Sequence, residues 1–160
     1  MIIIRPTLKL AAKLKLTPLE EHPPTAGSWC DWCVRSFMAG RKSHLIFSHT
    51  ESLYSIVVPQ RGVTNAKGLR RAFATGIHQH LDLPAAAQHH VSALLVALTD
   101  CHFARGHDRA VLGSINDLAW IAENHLLAGD SLTHTNQRLN EAPMSLLGMD
   151  SPKEALIRLV

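Results

Sequence analysis

The 160-residue chain is 46% hydrophobic and 18% charged, a balance that argues against disorder and suits one domain over residues 1–160. Three cysteines without disulfide-dense spacing, a short apolar start and no long apolar run argue against a disulfide scaffold, a signal peptide and a membrane span. They point to a protein of the cytoplasm. The net charge of +3 conceals two unlike halves: residues 1–71 hold 11 Lys and Arg against four acids, and residues 72–160 hold five against nine. Either the basic half faces nucleic acid, or the halves attract each other.

In chain order, "MIIIRPT" reads as a short buried strand with Thr7 as the cap of a following helix. In that helix Leu10 and Leu14 share one stripe, and Lys9 and Lys13 another. Residues 17–28 carry three prolines and a glycine and form a loop. "WCDWCVRSFMAGRK" is expected to be a short helix. "SHLIFS" and "SLYSIVVP" are strand-like, with "HTE" as a tight hairpin connection.

A helix over 66–81 places Leu69, Phe73 and Ile77 on its buried stripe and Lys67, Arg70 and Arg71 in solvent. Pro84 opens another, with Val91, Leu94, Leu95 and Leu98 facing the core. "DCHFARG" alternates as one more strand. A helix from about residue 114 to 128 stops at Gly129, and Asp130 caps the next, which runs to about Asn140. Ser151, Pro152 and Glu154 make a capping box with proline at the first helical position. The order implies an α+β domain: a small, mostly antiparallel sheet of about four strands, covered by helices, with a helical C-terminal third.

The stretch "RAVLGSINDLAWIAENHLL" holds the densest polar cluster. Ser114 and Asp117 fit a capping box, which would put a helix N-terminus beside Arg109 and Asn116. Turning about 100° per residue, Trp120 falls on the polar face about 40° from Asn116, with Leu127 nearby. Trp120 is expected to pack under the 131–140 helix; otherwise, with Leu127, it faces a partner. Cys30 and Cys33 have redox or half-zinc-site spacing, but read more simply as buried thiols. His78 and His80 point to different helix faces, and with His89 and His90 read as surface residues. No metal site or cofactor is assigned.

"MIIIRPTLKLAAKLK", "DWC", "HLIFSHTESLYSIVVP" and "DRAVLGSINDLAWIAENHL" follow one another as in an uncharacterised bacterial domain family, which the chain resembles over most of residues 1–127. Members have the form RxTxKLxKxL, DWY, LIFxNxxTLxxxV and RSxLGSMND. Asp31, Trp32, Arg109, Gly113, Ser114, Asn116 and Asp117 fall on that pattern, while Cys30 and Cys33 stand where glycine and tyrosine are expected. The resemblance supplies no activity.

Three functions follow as expectations. The first is a binding module for nucleic acid or a nucleotide, using Lys9, Lys13, Arg70 and Arg71. The second is a small enzyme, a nuclease or phosphotransfer accessory, built on Asp31, Arg109, Asn116 and Asp117, which together with Trp32 and Ser114 are also the candidates for holding a polar ligand. The third is a protein-partner module presenting Trp120 and Leu127.

Overall fold

In the computed structural model, which describes residues 1–106 and 108–159, the four expected strand segments form, and a fifth joins them. The strands are β1 (Ile2–Pro6), β2 (Asp31–Ala39), β3 (Lys42–His49), β4 (Ser55–Pro59) and β5 (Cys101–Phe103). They form one sheet in the order β4-β3-β2-β1-β5. β1 runs parallel to both neighbours, with Ile4 opposite Trp32 and Ile2 opposite Cys101, whereas the β2–β3 and β3–β4 pairs are antiparallel.

The fifth strand is β2, which lies where a helix was expected. It sits mid-sheet and buries side chains on both faces: Trp32 and Val34 on one, Cys33 and Phe37 on the other. A strand buried twice loses the apolar–polar alternation that betrays a half-buried one. Its turn into β3 is Gly40–Arg41, with Gly40 at φ +62°. Glycine with positive φ at the first turn position is what a two-residue type II′ hairpin requires.

Helices cover both faces. α1 (Leu8–Lys13), α2 (Ala66–His80) and α3 (Gln88–Ala97) pack over Ile2, Ile4, Trp32, Val34, Phe47 and Ile56. Phe73 of α2 stacks on Phe47 at 4.6 Å and meets Trp32 edge-on at 5.0 Å. α4 (Arg109–Leu127) and α5 (Leu132–Glu141) cover Cys33, Phe37, Ile46 and Val57. α5 also reaches the backbone of β4. The Asn140 side chain accepts from Ser55 N and donates to Ser55 O, and Asn136 does the same with Val57. α6 (Pro152–Ile157) begins with the expected capping box at Ser151 and Glu154. No helix among the described residues is long and apolar enough to cross a membrane.

α4 begins five residues before its expected start. Asp108 is the N-cap, accepting from Ala110 N and Val111 N, so Ser114 and Asp117 lie in the helix body and form no capping box. The buried stripe Val111, Ile115, Leu118, Ala119 and Ala122 extends upstream of Ser114. Its burial outweighs Gly113, whose helix penalty is about 1 kcal/mol. Likewise Ser131, not Asp130, caps α5, and Asp130 instead meets the His125 ring at 3.0 Å.

Candidate functional site

A lone arginine in the apolar strand β1 needs a partner, because an unpaired buried charge is strongly destabilising. Arg5 finds it in Asp31 at the start of β2: Nε donates to Oδ1 at 2.8 Å and Nη2 to Oδ2 at 2.9 Å. Arg5 is 4% exposed and Asp31 0%. The remaining guanidinium hydrogens go to the carbonyls of His22, Pro23 and Arg105. All five donors of the fork are used. The proline-rich loop is thereby held against the sheet, and Thr25 N also donates to Asp31.

Asp31 and Arg5 form the floor of a cavity of about 330 Å³ whose walls include Pro24, Thr50, Glu51, Asp108, Val111 and Leu112. Asp31 therefore faces the same cavity as the N-terminal turn of α4. The rest of the expected polar group does not join it. Trp32, one residue on, points to the opposite face of the sheet, fully buried, with its indole N–H donating to Trp29 O at 2.7 Å. Arg109, Asn116 and Asp117 are exposed and Ser114 half-buried along α4. Asn116 accepts instead from Arg35 of β2.

Cys30 and Cys33 do not converge. Cys30 packs against the core under α1–α3, and Cys33 against the core under α4. Burial, with the Asp31 charge adding to it, pushes the Cys33 thiol up to about 12. His78, His80, His89 and His90 form no three-ligand cluster among the described residues; His90 stacks on Trp29 at 4.9 Å. Trp120 is not under α5. It stands 66% exposed, and Leu127, also exposed, lies beside the β2–β3 turn at Gly40.

No Lys or Arg side chain of residues 1–71 forms an ion pair with a carboxylate of residues 72–160 among the described residues. The pairs that do cross between the halves are Arg105 with Glu21 and the Met1 ammonium with Asp100. Three cations of the first half line one groove. β1 ends opposite Val34 while β2 runs on to Ala39, so the second half of β2 has no strand on that side. A groove of about 480 Å³ lies between this edge and α1, lined by Lys9, Lys13, Arg35, Ser36, Ser43 and Gln60 among others.

Thr7, capping α1, also lines the groove, and none of the described lining residues is acidic. Gln60 is buried; its Oε1 accepts from Ser43 Oγ, while its Nε2 has no acceptor among the described residues. Sequence reasoning missed Arg35 and Gln60 because it placed no strand edge there. It missed Arg5 although an isolated arginine among isoleucines signals a buried ion pair. Arg70 and Arg71 lie on α2 outside this groove, Arg70 near enough to Cys101 for its charge to act on the thiol.

The structure defines a three-layer α/β/α domain, with a mixed five-stranded sheet pinned to its long loop by a buried arginine–aspartate pair. The chain belongs to DUF6933, a domain of unknown function, whose family model matches residues 3–155. Comparison with curated proteins yields no match.

Proposed function

We propose that this protein is a cytoplasmic binding module for a phosphate-bearing ligand, a nucleic-acid backbone or a nucleotide, held in the groove between α1 and the free edge of β2. One observation carries the reading: Lys9, Lys13 and Arg35 line a single groove together with hydroxyl groups and an unsatisfied amide N–H, without a carboxylate. Phosphate oxygens accept such donors, and displaced counterions add a favourable, salt-sensitive term. Three free cysteines fit a reducing compartment. Arg70 and Arg71 would extend contacts to a longer strand.

The test is a titration of labelled single- and double-stranded DNA and RNA at about 50 and 200 mM salt. Three phosphate contacts give a log–log salt slope of about −2.1 for single strands to −2.7 for duplex, so affinity falls roughly 20- to 40-fold over that range. Lys9→Ala, Lys13→Ala and Arg35→Ala should each flatten the slope by about one. Equal binding by the wild type and the triple variant would refute the groove. A ligand gripped equally at both salts would refute phosphate recognition.

The exposure of Trp120 and Leu127 favours a second reading, a protein-partner surface. Seven residues apart, they lie within about 20° of one another on α4. Trp120→Ser with Leu127→Ser should leave the melting temperature unchanged while abolishing any self-association seen by light scattering. A monomeric wild type at high concentration removes self-association as its basis.

A further inference from the structure

The loop that Arg5 holds carries a second cluster, which shares no residue with the cationic groove. Glu20 forms an isolated parallel bridge with the chain just past β5: its N–H donates to Phe103 O at 2.9 Å, and its carbonyl accepts from Arg105 N at 3.0 Å. Two residues on, the His22 carbonyl accepts from Arg5 Nη1 at 2.9 Å. Both ends of this short segment are therefore anchored, Glu20 by backbone bonds and His22 by the Arg5 side chain. β5 sends His102 to the same place. Glu20 Oε2 lies 2.9 Å from His22 Nε2 and 3.0 Å from His102 Nδ1, and one ligand atom from each of the three lies within 4.8 Å of the others. On the other side of the His102 ring, Nε2 lies 3.0 Å from Asp100 Oδ1.

We propose that Glu20, His22 and His102 bind a divalent transition-metal ion of the zinc class, with Asp100 orienting His102 from behind. Four arguments carry this. The first is spacing: ligands about 2.05 Å from a tetrahedral zinc sit about 3.3 Å apart, so the two short contacts to Glu20 need open by only a few tenths of an ångström. The second is the tautomer. With a metal bound in place of the Nδ1–Glu20 contact, Nε2–H would be donated to Asp100, the arrangement in which a carboxylate behind a ligating histidine fixes its ring and raises its basicity. The third is charge, since the Glu20 carboxylate between the two rings and the Asp100 carboxylate behind His102 make a site attractive to a cation. The fourth is ligand type: two imidazoles and a carboxylate suit zinc, cobalt, nickel or iron rather than magnesium or calcium.

The three-ligand set leaves a coordination position open to solvent, as in sites where water or a substrate completes the metal. This also gives the buried Arg5–Asp31 pair a purpose beyond stability. It holds the His22 backbone in place, so the ligand segment is fixed before any metal arrives, and pre-organisation of this kind strengthens binding. The reading is independent of the groove, because no groove-lining residue takes part.

The experiment uses the chelator-treated full chain, titrated with Co²⁺ and followed by visible absorption, and with Zn²⁺ followed by calorimetry. One equivalent of each should bind, with the visible bands of a low-coordinate cobalt. Glu20→Gln, His22→Ala and His102→Ala should each weaken binding at least about 10-fold, and Asp100→Asn roughly 10- to 100-fold. The double variant His89→Ala with His90→Ala should bind like the wild type. All these side chains are exposed or half-buried, and circular dichroism checks that each variant is folded. Undiminished binding by His22→Ala with His102→Ala would overturn the site, because histidines elsewhere would then hold the metal. A folded wild type that binds neither ion would overturn it too, leaving a proton shared between His102 and the two carboxylates.

Discussion

Asp31→Ala is the most direct probe of the structure's centre. It removes the carboxylate that takes two guanidinium bonds and one backbone N–H, all in a setting where Arg5 and Asp31 have almost no contact with solvent. Breaking a buried ion pair from one side leaves an uncompensated charge and destabilises by about 3–5 kcal/mol. In a domain of this size each kcal/mol lowers the melting temperature by about 2–4 °C, so the expected loss is roughly 6–20 °C. Urea unfolding should show a lower midpoint at unchanged slope. Replacing both partners, Arg5→Met with Asp31→Leu, should recover part of the loss because no charge is left buried, although the three loop carbonyls still lose their donor. A loss below about 2 °C for Asp31→Ala would refute the reasoning, since it would mean that water reaches Arg5 and the pair is not the tie described.

Three further outcomes follow. A Cβ at Gly76 of α2 would lie 2.7 Å from Ile56 Cγ2 and 2.8 Å from Val58 Cγ1, so Gly76→Ala should destabilise by about 1–3 kcal/mol through overpacking, read by thermal melting. With Cys33 pushed up to about 12 and Cys101 to about 11 by burial, iodoacetamide at about pH 8 should label Cys30 first and Cys33 only on unfolding, as peptide mass mapping would show. Hydrogen bonds to Glu20 and Asp100 raise the His102 pKa, so its stabilising contribution is present below about pH 6.5 and fades as pH rises through the folded value. The metal-free His102→Gln variant should therefore melt below the wild type at pH 6, with the gap narrowing by pH 8.5.

The elements that could be read from the sequence are those whose local signals agree. The runs Ile2–Ile4, Leu45–Phe47 and Ile56–Val58 are dense in β-branched and large apolar residues, and the caps at Thr7 and Ser151 are unambiguous. β2 was hidden because neighbours on both sides of the sheet bury Trp32, Cys33 and Val34 in succession. The start of α4 was hidden because Gly113 and Ser114 imitate a helix boundary inside a continuous buried stripe.

The site followed the same division. Lys9 and Lys13 were legible from helical spacing alone. Arg35 joins them only because β2 outruns β1, which is a matter of register. Asp31 was singled out, yet its partner comes from the adjacent parallel strand rather than from the Arg109 stretch. His102 and Glu20 lie 82 positions apart, and only the placement of β5 beside β1 brings them together. Contacts of that kind have no local sequence signature.

The asparagines of α5 have a consequence for assembly. Asn136 and Asn140 are four residues apart on a helix, a rise of about 6.0 Å, and Ser55 and Val57 are two apart on a strand, about 6.6–6.8 Å. The near match lets a helix present amide groups at the pitch of a neighbouring strand, each offering one donor and one acceptor. β4 is thus an outermost strand whose outward backbone is already answered by side chains that imitate a sixth strand. An incoming chain would find Ser55 and Val57 already paired there, which guards this edge against edge-to-edge aggregation.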